Sequence, residues 1–483
     1  LGFTNLPSFI FGVPNESSRK AVKLIYLMLL DRSIQGSVMN RILMIGGGYV
    51  GLVSAACLAN KDYDTVLCER DVEKAELIRA GSPPFFEPNL RTLLKKTIDA
   101  GKLRVSSRIE DAVPNSEVIF VAVGTPSKSD GSIDLTAIEA SSVEIGEALR
   151  GKASYCLVVI RSTVVPGTTK NVVKPIIERH SGKKAGEDFG LAMQPEFLRE
   201  GSAVEDTFNP DRIVIGEYDK RSGDILESFY LQFYKDKVPP ILRMNLVSAE
   251  MVKYASNAFL ATKISFINQI ANICENVPAV DVTEVADAIG LDERIGRKFL
   301  DAGAGFGGSC LGKDLSALIA FSNQVGYEPN LLRAVQDVNE KQALHIVELA
   351  RKELGNLVRK RIAILGLSFK PNTDDIRDAP AVRIVNKLLE EEASVTVYDP
   401  VAIKNANALF KDRVRYASSW LDCVLNADCA VIVTEWDEFK KLKPEDFKGK
   451  MRRAVLIDGR KIYDPLEFGK SLRYICVGLG PSE

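Results

Sequence analysis

Short apolar runs recur along the chain and are broken by glycine, proline or polar turns. RILMI leads into GGGYVG and a helical stretch, then TVLCE; SEVIFVAVGTPS stops at Pro126, and CLVVIRSTVVPGTT stops at Pro166 and Gly167. FGLAMQPEFLREGSA then precedes DRIVIG. Runs of this length, alternating with helical spacing and bounded by turn residues, predict strands of a parallel sheet covered by helices. From about Asn245 to Arg351 the spacing turns helical, and VSAEMVKYASNAFLATKISFINQIANIC has no breaker for roughly seven turns. Apolar on more than one side, that helix is predicted to lie buried between domains. The last third begins again with strand patterns in KRIAILGLSF, SVTVYDP, DCAVIVTEW and AVLIDGR. The expected fold class is α/β: an N-terminal sheet domain over 39–240, a central helical region over 241–350 and a second sheet domain over 351–483.

The first 38 residues fit none of this. RKAVKLIYLMLL is basic then apolar, but it is too short to span a bilayer and no small-residue cleavage site follows it. Residues 1–38 are expected to be a poorly ordered extension before a domain that starts at Met39.

The first strand–helix junction carries G-x-G-x-x-G at Gly46, Gly48 and Gly51, with Tyr49 and Val50 between. Gly46 permits a tight turn, Gly48 lets the backbone approach a pyrophosphate, and Gly51 brings the helix close to the strand; the phosphates would sit at the helix N-terminus. Glu69, ending the second apolar run, suits the ribose hydroxyls and repels a 2′-phosphate, which favours NAD over NADP, although Arg70 next door works against that preference. This is a Rossmann βαβ unit. In such sheets ligands bind beyond the carboxyl ends of the strands, where Thr125, Thr163 and Glu196 fall. Turn chemistry alone would explain the threonines; Glu196, between a proline and Phe197, is harder to dismiss. Lys253 and Asn257 are four apart on the long helix and share a face, as do Cys310 and Asp314 if the glycine run of AGFGGSCLGKD opens a helix. Most free cysteines and lysines are core thiols and surface charges. In the last third the loop GLSFKPN is not a dinucleotide fingerprint; its Phe369 and Lys370, with Arg460, suit the base and phosphates of another ligand.

Charge and cysteine usage narrow the classes. Lys and Arg total 63 against 64 Asp and Glu, so no excess charge draws the chain to nucleic acid or an anionic membrane. Eight cysteines without a C-x-x-C pair argue against a metal site or disulfide framework and for a reducing, cytoplasmic setting. His180 and His345 lie outside every motif, which disfavours a histidine-based dehydrogenase.

Taken in order, GGGYVGL, VGTPS, PEFLREGSA, FGGSCLGKD, GLSFKPNTDDIRDAP and IDGR resemble the UDP-glucose 6-dehydrogenase family of nucleotide-sugar dehydrogenases over nearly everything from Met39 onward. The resemblance implies a four-electron oxidation of a sugar 6-hydroxyl to the carboxylate with two NAD molecules and no release of aldehyde. It implies a nucleophilic Cys310, with Asp314, Lys253, Asn257, Thr125 and Glu196 as its catalytic partners. Thr163, Lys313 and Arg377 are implied near the cofactor. Phe197, Leu198, Glu200, Phe306, Gly307, Phe369, Lys370 and Arg460 are implied around a UDP-sugar, and Arg294 reaches a neighbouring subunit's substrate in a homodimer or higher oligomer. The chain departs from the family at Leu311–Gly312, so the resemblance implies the chemistry at the cysteine but not the shape of the pocket beside it. GDP-mannose and UDP-N-acetylhexosamine remain alternative substrates, although the N-acetylhexosamine relatives usually carry histidine where this chain has Ser309. A two-electron dehydrogenase would have no need of Cys310, and a non-catalytic NAD sensor would leave Lys253, Asn257, Cys310 and Asp314 unexplained. Chemically, Asp314 would take the alcohol proton, a Cys310 thiolate would attack the aldehyde, Lys253 and Asn257 would stabilise the oxyanion, and Glu196 would hold the hydrolytic water. Lys253, Lys313 and a helix start are expected to lower the thiol pKa.

Overall fold

The computed structural model describes residues 39–481, so the expectation of a poorly ordered extension lies outside the described residues. Two sheets dominate. The first contains β1 (Arg41–Ile45), β2 (Asp64–Cys68), β3 (Leu103–Ser106), β4 (Val118–Val121), β5 (Leu157–Ile160), β6 (Gly190–Met193), β7 (Ile213–Glu217) and β8 (Ile241–Asn245), in spatial order β3-β2-β1-β4-β5-β6-β7-β8. The second contains β9 (Arg361–Leu365), β10 (Ser394–Tyr398), β11 (Arg415–Tyr416), β12 (Cys429–Ile432), β13 (Val455–Asp458) and β14 (Arg473–Cys476), in order β11-β10-β9-β12-β13-β14. The first six strands of one sheet and all six of the other thus share the doubly wound order, with a switch point between β1 and β4 and another between β9 and β12. Four of the five residues in β1 and in β9 are buried, as a sheet with helices on both faces requires.

The last two strands of the first sheet break the parallel pattern, since β8 runs parallel to β7. β7 runs antiparallel to β6, with Ala192 opposite Glu217. An antiparallel neighbour starts at the edge where its predecessor ends, so the connection carrying PEFLREGSA stays at the carboxyl edge of the sheet. The first sheet also runs to Asn245, five residues past the expected 240.

Four helices matter for the site: α1 (Tyr49–Asn60), α2 (Leu246–Cys274), α3 (Leu311–Gln324) and α4 (Asn330–Leu354). Asn245 caps α2 by accepting from the Ser248 N–H at 2.9 Å. The 29-residue α2 is about 43 Å long, enough to run from the first sheet's edge to the packing under the second. Its buried positions, among them Lys253, Tyr254, Asn257, Ala258, Ala261, Ser265 and Asn268, recur at three- and four-residue spacing, and they pack against α3 and α4. The opposite stripe, Val247, Met251, Phe259, Phe266 and Ile273, faces outward. The expectation of a helix apolar on more than one side and buried between domains is met on one side: this chain covers one stripe and leaves the other apolar stripe exposed.

Candidate functional site

The glycine loop between β1 and α1 is built as its spacing predicts. Gly46 has φ +103°, and a Cβ there would lie 2.6 Å from the Ala122 carbonyl oxygen. At Gly51 a Cβ would come within 1.9 Å of the Gly46 carbonyl oxygen, so only glycine lets α1 close on the loop. Gly48, in contrast, opens onto space, with no atom within 4 Å of its missing Cβ. It caps α1 without a side chain, which leaves helix N–H groups free to meet an anion. Glu69 holds the loop, accepting from Gly47 N at 2.9 Å and Asp71 N at 2.8 Å, and Arg70 is drawn aside by Glu144. The cradle fits a dinucleotide. The Tyr49 side chain is engaged by Glu87 and Phe85. Its hydroxyl bonds Glu87, and Glu87 accepts from Gly201 N (2.6 Å) and Ala203 N (2.8 Å), tying α1 to the PEFLREGSA segment. Val50 is half-buried on the first turn of α1.

The second cluster forms where the β6–β7 connection, α2 and α3 converge. Cys310 is the N-cap of α3, and Asp314 N–H bonds its carbonyl at 2.8 Å, so the glycine run does open a helix. The Asp314 carboxylate is buried and accepts from Asn257 Nδ2 at 2.6 Å and Lys313 Nζ at 2.6 Å. One turn earlier on α2, Lys253 is 4 % exposed and pairs with Glu196, 6 % exposed, at 2.9 Å. Glu196 Oε2 accepts from Leu198 N at 2.6 Å, and the Lys253 ammonium lies 5.7 Å over the Phe197 ring. Burial pushes the Glu196 carboxyl up, but the adjacent Lys253 cation and its hydrogen bond prevail and hold it below its ordinary range. Burial likewise disfavours the Lys253 ammonium, and the charges of Glu196, Cys310 and Asp314 overcome that and raise it. Each partner is ionised because of the other.

Cys310 is the exposed thiol; the other seven cysteines are buried. Although the residue reaches solvent, protein crowds the sulfur, and this desolvation pushes its pKa above the ordinary thiol value. Lys253 opposes the rise, while Glu196 and Asp314 reinforce it. The expectation of a lowered thiol pKa is therefore corrected: each nearby lysine is matched by a carboxylate, so the setting is not positive.

The loop before Cys310 is gripped from several elements. Asn268 Oδ1 accepts from Gly303 N (2.8 Å), Gln342 Nε2 donates to Gly303 O (2.9 Å), and Asn339 holds both sides of Phe306, accepting from its N–H (2.7 Å) and donating to its carbonyl (3.0 Å). Gly307 and Gly308 lie against the second sheet's loop: a Cβ would be 2.5 Å from the Asp378 carbonyl oxygen at Gly307 and 2.8 Å from the Phe369 ring at Gly308. Arg460 Nη2 donates to the Phe369 carbonyl at 3.1 Å, Lys370 Nζ stands 5.6 Å over the Phe369 ring, and Arg377 is clamped by Asp375 at 2.6 Å. Phe369, Arg377 and Arg460 thus meet the cysteine loop, and Lys370 stands over the Phe369 ring. Glu200 accepts from Ser309 Oγ at 2.8 Å and Thr373 Oγ1 at 3.3 Å.

Two candidates behave differently. Thr125 is buried and its hydroxyl donates to the Thr163 carbonyl at 2.8 Å, so the uncommitted hydroxyl of the pair is that of Thr163. Arg294 is 89 % exposed and bonds Asp292, away from the cluster. Sequence reasoning missed Asn268, Asn339 and Gln342, and also Arg161, which is buried between Gln194 and Tyr230 under the Glu196 turn. An arginine and a glutamine directly after the strand runs LVVI and GLAM were the visible signal for the last.

Residues 40–234, 247–341 and 363–465 match, in turn, the NAD binding, central and UDP binding domains of the UDP-glucose/GDP-mannose dehydrogenase family. The chain belongs to this family. As a UDP-glucose/GDP-mannose dehydrogenase it is an oxidoreductase that uses NAD. It is 43% identical over 442 residues to the UDP-glucose 6-dehydrogenase TuaD of Bacillus subtilis, covering 92% of this chain and 93% of that protein. With the UDP-glucose 6-dehydrogenase AglM of Haloferax volcanii the identity is 44% over 420 residues, 87% of this chain and 96% of the relative. The structure of a UDP-glucose dehydrogenase from the hyperthermophilic archaeon Pyrobaculum islandicum superposes with a TM-score of 0.85 at 39% identity, covering 92% of this chain and 99% of that one. No described helix is long and apolar enough to cross a membrane.

Proposed function

We propose that this chain oxidises UDP-glucose at C6 to UDP-glucuronate, in two oxidations on one enzyme. The observation that carries this reading is the convergence of Cys310 with the Lys253–Glu196 and Asn257–Asp314 pairs. NAD, held by the Gly46–Gly51 loop and Glu69, supplies the acceptor for a hydride in each oxidation. Asp314 takes the hydroxyl proton, directly or through a water, since each of its oxygens keeps a lone pair after accepting from Asn257 and Lys313. Cys310 then bonds the aldehyde carbon as a thiolate. Lys253 gives one of its three donors to Glu196 and keeps the others for the oxygen that gains charge, with Asn257 alongside. After the second oxidation the sugar is a Cys310 thioester, and Glu196 orients the water that releases it. Phe369, Lys370 and Arg460 hold the nucleotide, with Phe197, Leu198, Glu200, Phe306 and Gly307 around the sugar.

Several further points belong to the same reading. Thr163, with its free hydroxyl, takes the role expected of Thr125. The outward stripe of α2 is the seam of a homodimer, and Arg294, next to the exposed Leu291 and Ile295, serves the neighbouring protomer's substrate. Eight unpaired thiols suit the cytoplasm. The test is a panel of UDP- and GDP-sugars followed at the NADH absorbance, with product counted. Two NADH per UDP-glucose are expected. One NADH per sugar, or a preference for GDP-mannose or a UDP-N-acetylhexosamine, overturns the reading.

A further inference from the structure

A nucleophilic Cys310 needs a proton acceptor, because its surroundings favour the neutral thiol. Lys253 faces it, but so do the carboxylates of Glu196 and Asp314, each already engaged with a cation or an amide; Arg377 is the further charge from the second sheet's loop. One short path leads away from the sulfur. Ser309 Oγ lies 3.5 Å from Cys310 Sγ, and the same oxygen sits 2.8 Å from Glu200 Oε1. Ser309 is half-buried at the end of the loop before Cys310, and Glu200 comes from the β6–β7 connection that the antiparallel β7 keeps at this edge.

We infer that Ser309 and Glu200 form a relay that takes the Cys310 proton: the S–H donates to Ser309 Oγ, whose own proton passes to Glu200 Oε1. The S–H and serine O–H bonds break, new serine O–H and carboxyl O–H bonds form, and a thiolate remains with the serine hydroxyl able to donate to it. No oxidant or further reactant is required. The inference rests on the proposed thiolate chemistry and assigns the residue that starts it. Glu200 suits the acceptor's part. Burial and the facing Asp375 push its carboxyl up to about 7, against Ser309, Arg377 and Lys370, which pull it down. A carboxylate at that level accepts a proton near neutral pH, whereas an ordinary one would not hold it.

Alkylation of the apo-enzyme by iodoacetamide tests this without NAD or sugar. Cys310 is the exposed thiol among eight, and Cys310→Ala gives the background. With Glu200 as partner, wild-type alkylation rises with pH through the Glu200 titration near 7 and again when the thiol itself ionises. Ser309→Ala and Glu200→Gln should each lose the lower rise and react at least about tenfold more slowly at pH 7.5, the size expected for a lost hydrogen bond to a charged group. Ser309→Thr, which keeps a hydroxyl, should restore it. A wild-type profile with the single high rise, or unchanged profiles in Ser309→Ala and Glu200→Gln, overturns the relay. If Ser309→Ala fails to fold, the wild-type and Glu200→Gln profiles decide. Counting NADH from UDP-glucose on the wild type is a separate measurement, so failure of the relay and failure of the proposed function are told apart.

Discussion

Replacing Lys253 with methionine removes a cation from the centre of the site while keeping most of the side chain's volume. The pair it breaks is almost fully enclosed, with Lys253 4 % and Glu196 6 % exposed at 2.9 Å. Removing one partner of a buried pair leaves an uncompensated charge and costs about 3–5 kcal/mol. At roughly 2–4 °C per kcal/mol, Tm should fall by at least about 6 °C at pH 7. The pH dependence carries a second check. Glu196 has a folded pKa below its ordinary 4.5, so its contribution is present above that value and is lost as pH falls through the folded one. Lys253 is raised above its ordinary 10.5, so its contribution is present below that value and is lost as pH rises through the folded one. Between the two the wild-type pair stabilises in full. In Lys253→Met, burial of Glu196 acts with Arg161 as its remaining cation, and its folded pKa moves above 4.5. The variant therefore loses stability as pH rises from about 5 to 7, and its deficit against wild type should be smaller at pH 5. Adding Glu196→Gln removes the stranded charge and should recover most of the stability loss, with turnover still reduced by at least about 10²–10³ for want of an oxyanion donor and of the group that orients the hydrolytic water. Urea and thermal unfolding of the wild type, both single variants and the double variant, at pH 5 and 7, make the check. A Lys253→Met deficit below about 1 kcal/mol, or one that does not shrink at pH 5, refutes the reasoning.

Four other outcomes are expected. Gly51→Ala, whose Cβ would lie 1.9 Å from a backbone oxygen, should abolish NADH binding in a fluorescence titration and cost about 1–3 kcal/mol of stability; an unchanged Kd would show that the loop is not the cofactor cradle. With Glu69 holding the loop and Arg70 engaged by Glu144, kcat/KM should favour NAD over NADP, and equal values would contradict the ribose assignment. Cys310→Ser should stay folded and bind both ligands yet yield at most about one turnover, stalled as an adduct visible by intact mass, because an alkoxide is hard to form at neutral pH; near-normal turnover with two NADH per sugar would make Cys310 structural. Phe259→Glu with Phe266→Glu should convert a dimer seen by light scattering into a monomer, since both side chains stand on the outward stripe of α2; a wild type that is already a fully active monomer would remove that seam.

What the amino-acid sequence determined by itself was local. The apolar runs of β1 and β9 are buried on both faces, and Gly46 and Gly51 are where a positive φ or a backbone contact excludes any side chain; such constraints act within a few residues and can be read from a few residues. The shared faces of Lys253 with Asn257 and of Cys310 with Asp314 follow from helical spacing. Tertiary structure decided the rest. Lys253 meets Glu196 and Asn257 meets Asp314 across 57 residues in each case, and Ser309 meets Glu200 across 109. These contacts exist because β7 reverses direction and holds PEFLREGSA at the sheet edge, and because Asn268, Asn339 and Gln342 hold the loop before Cys310 in place. They are also why the thiol reading changed. Lys253, Lys313 and a helix start suggest a positive field, but the field at Cys310 is a sum over Lys253, Glu196, Asp314 and the desolvation that packing imposes, and that sum is defined once the chain has folded.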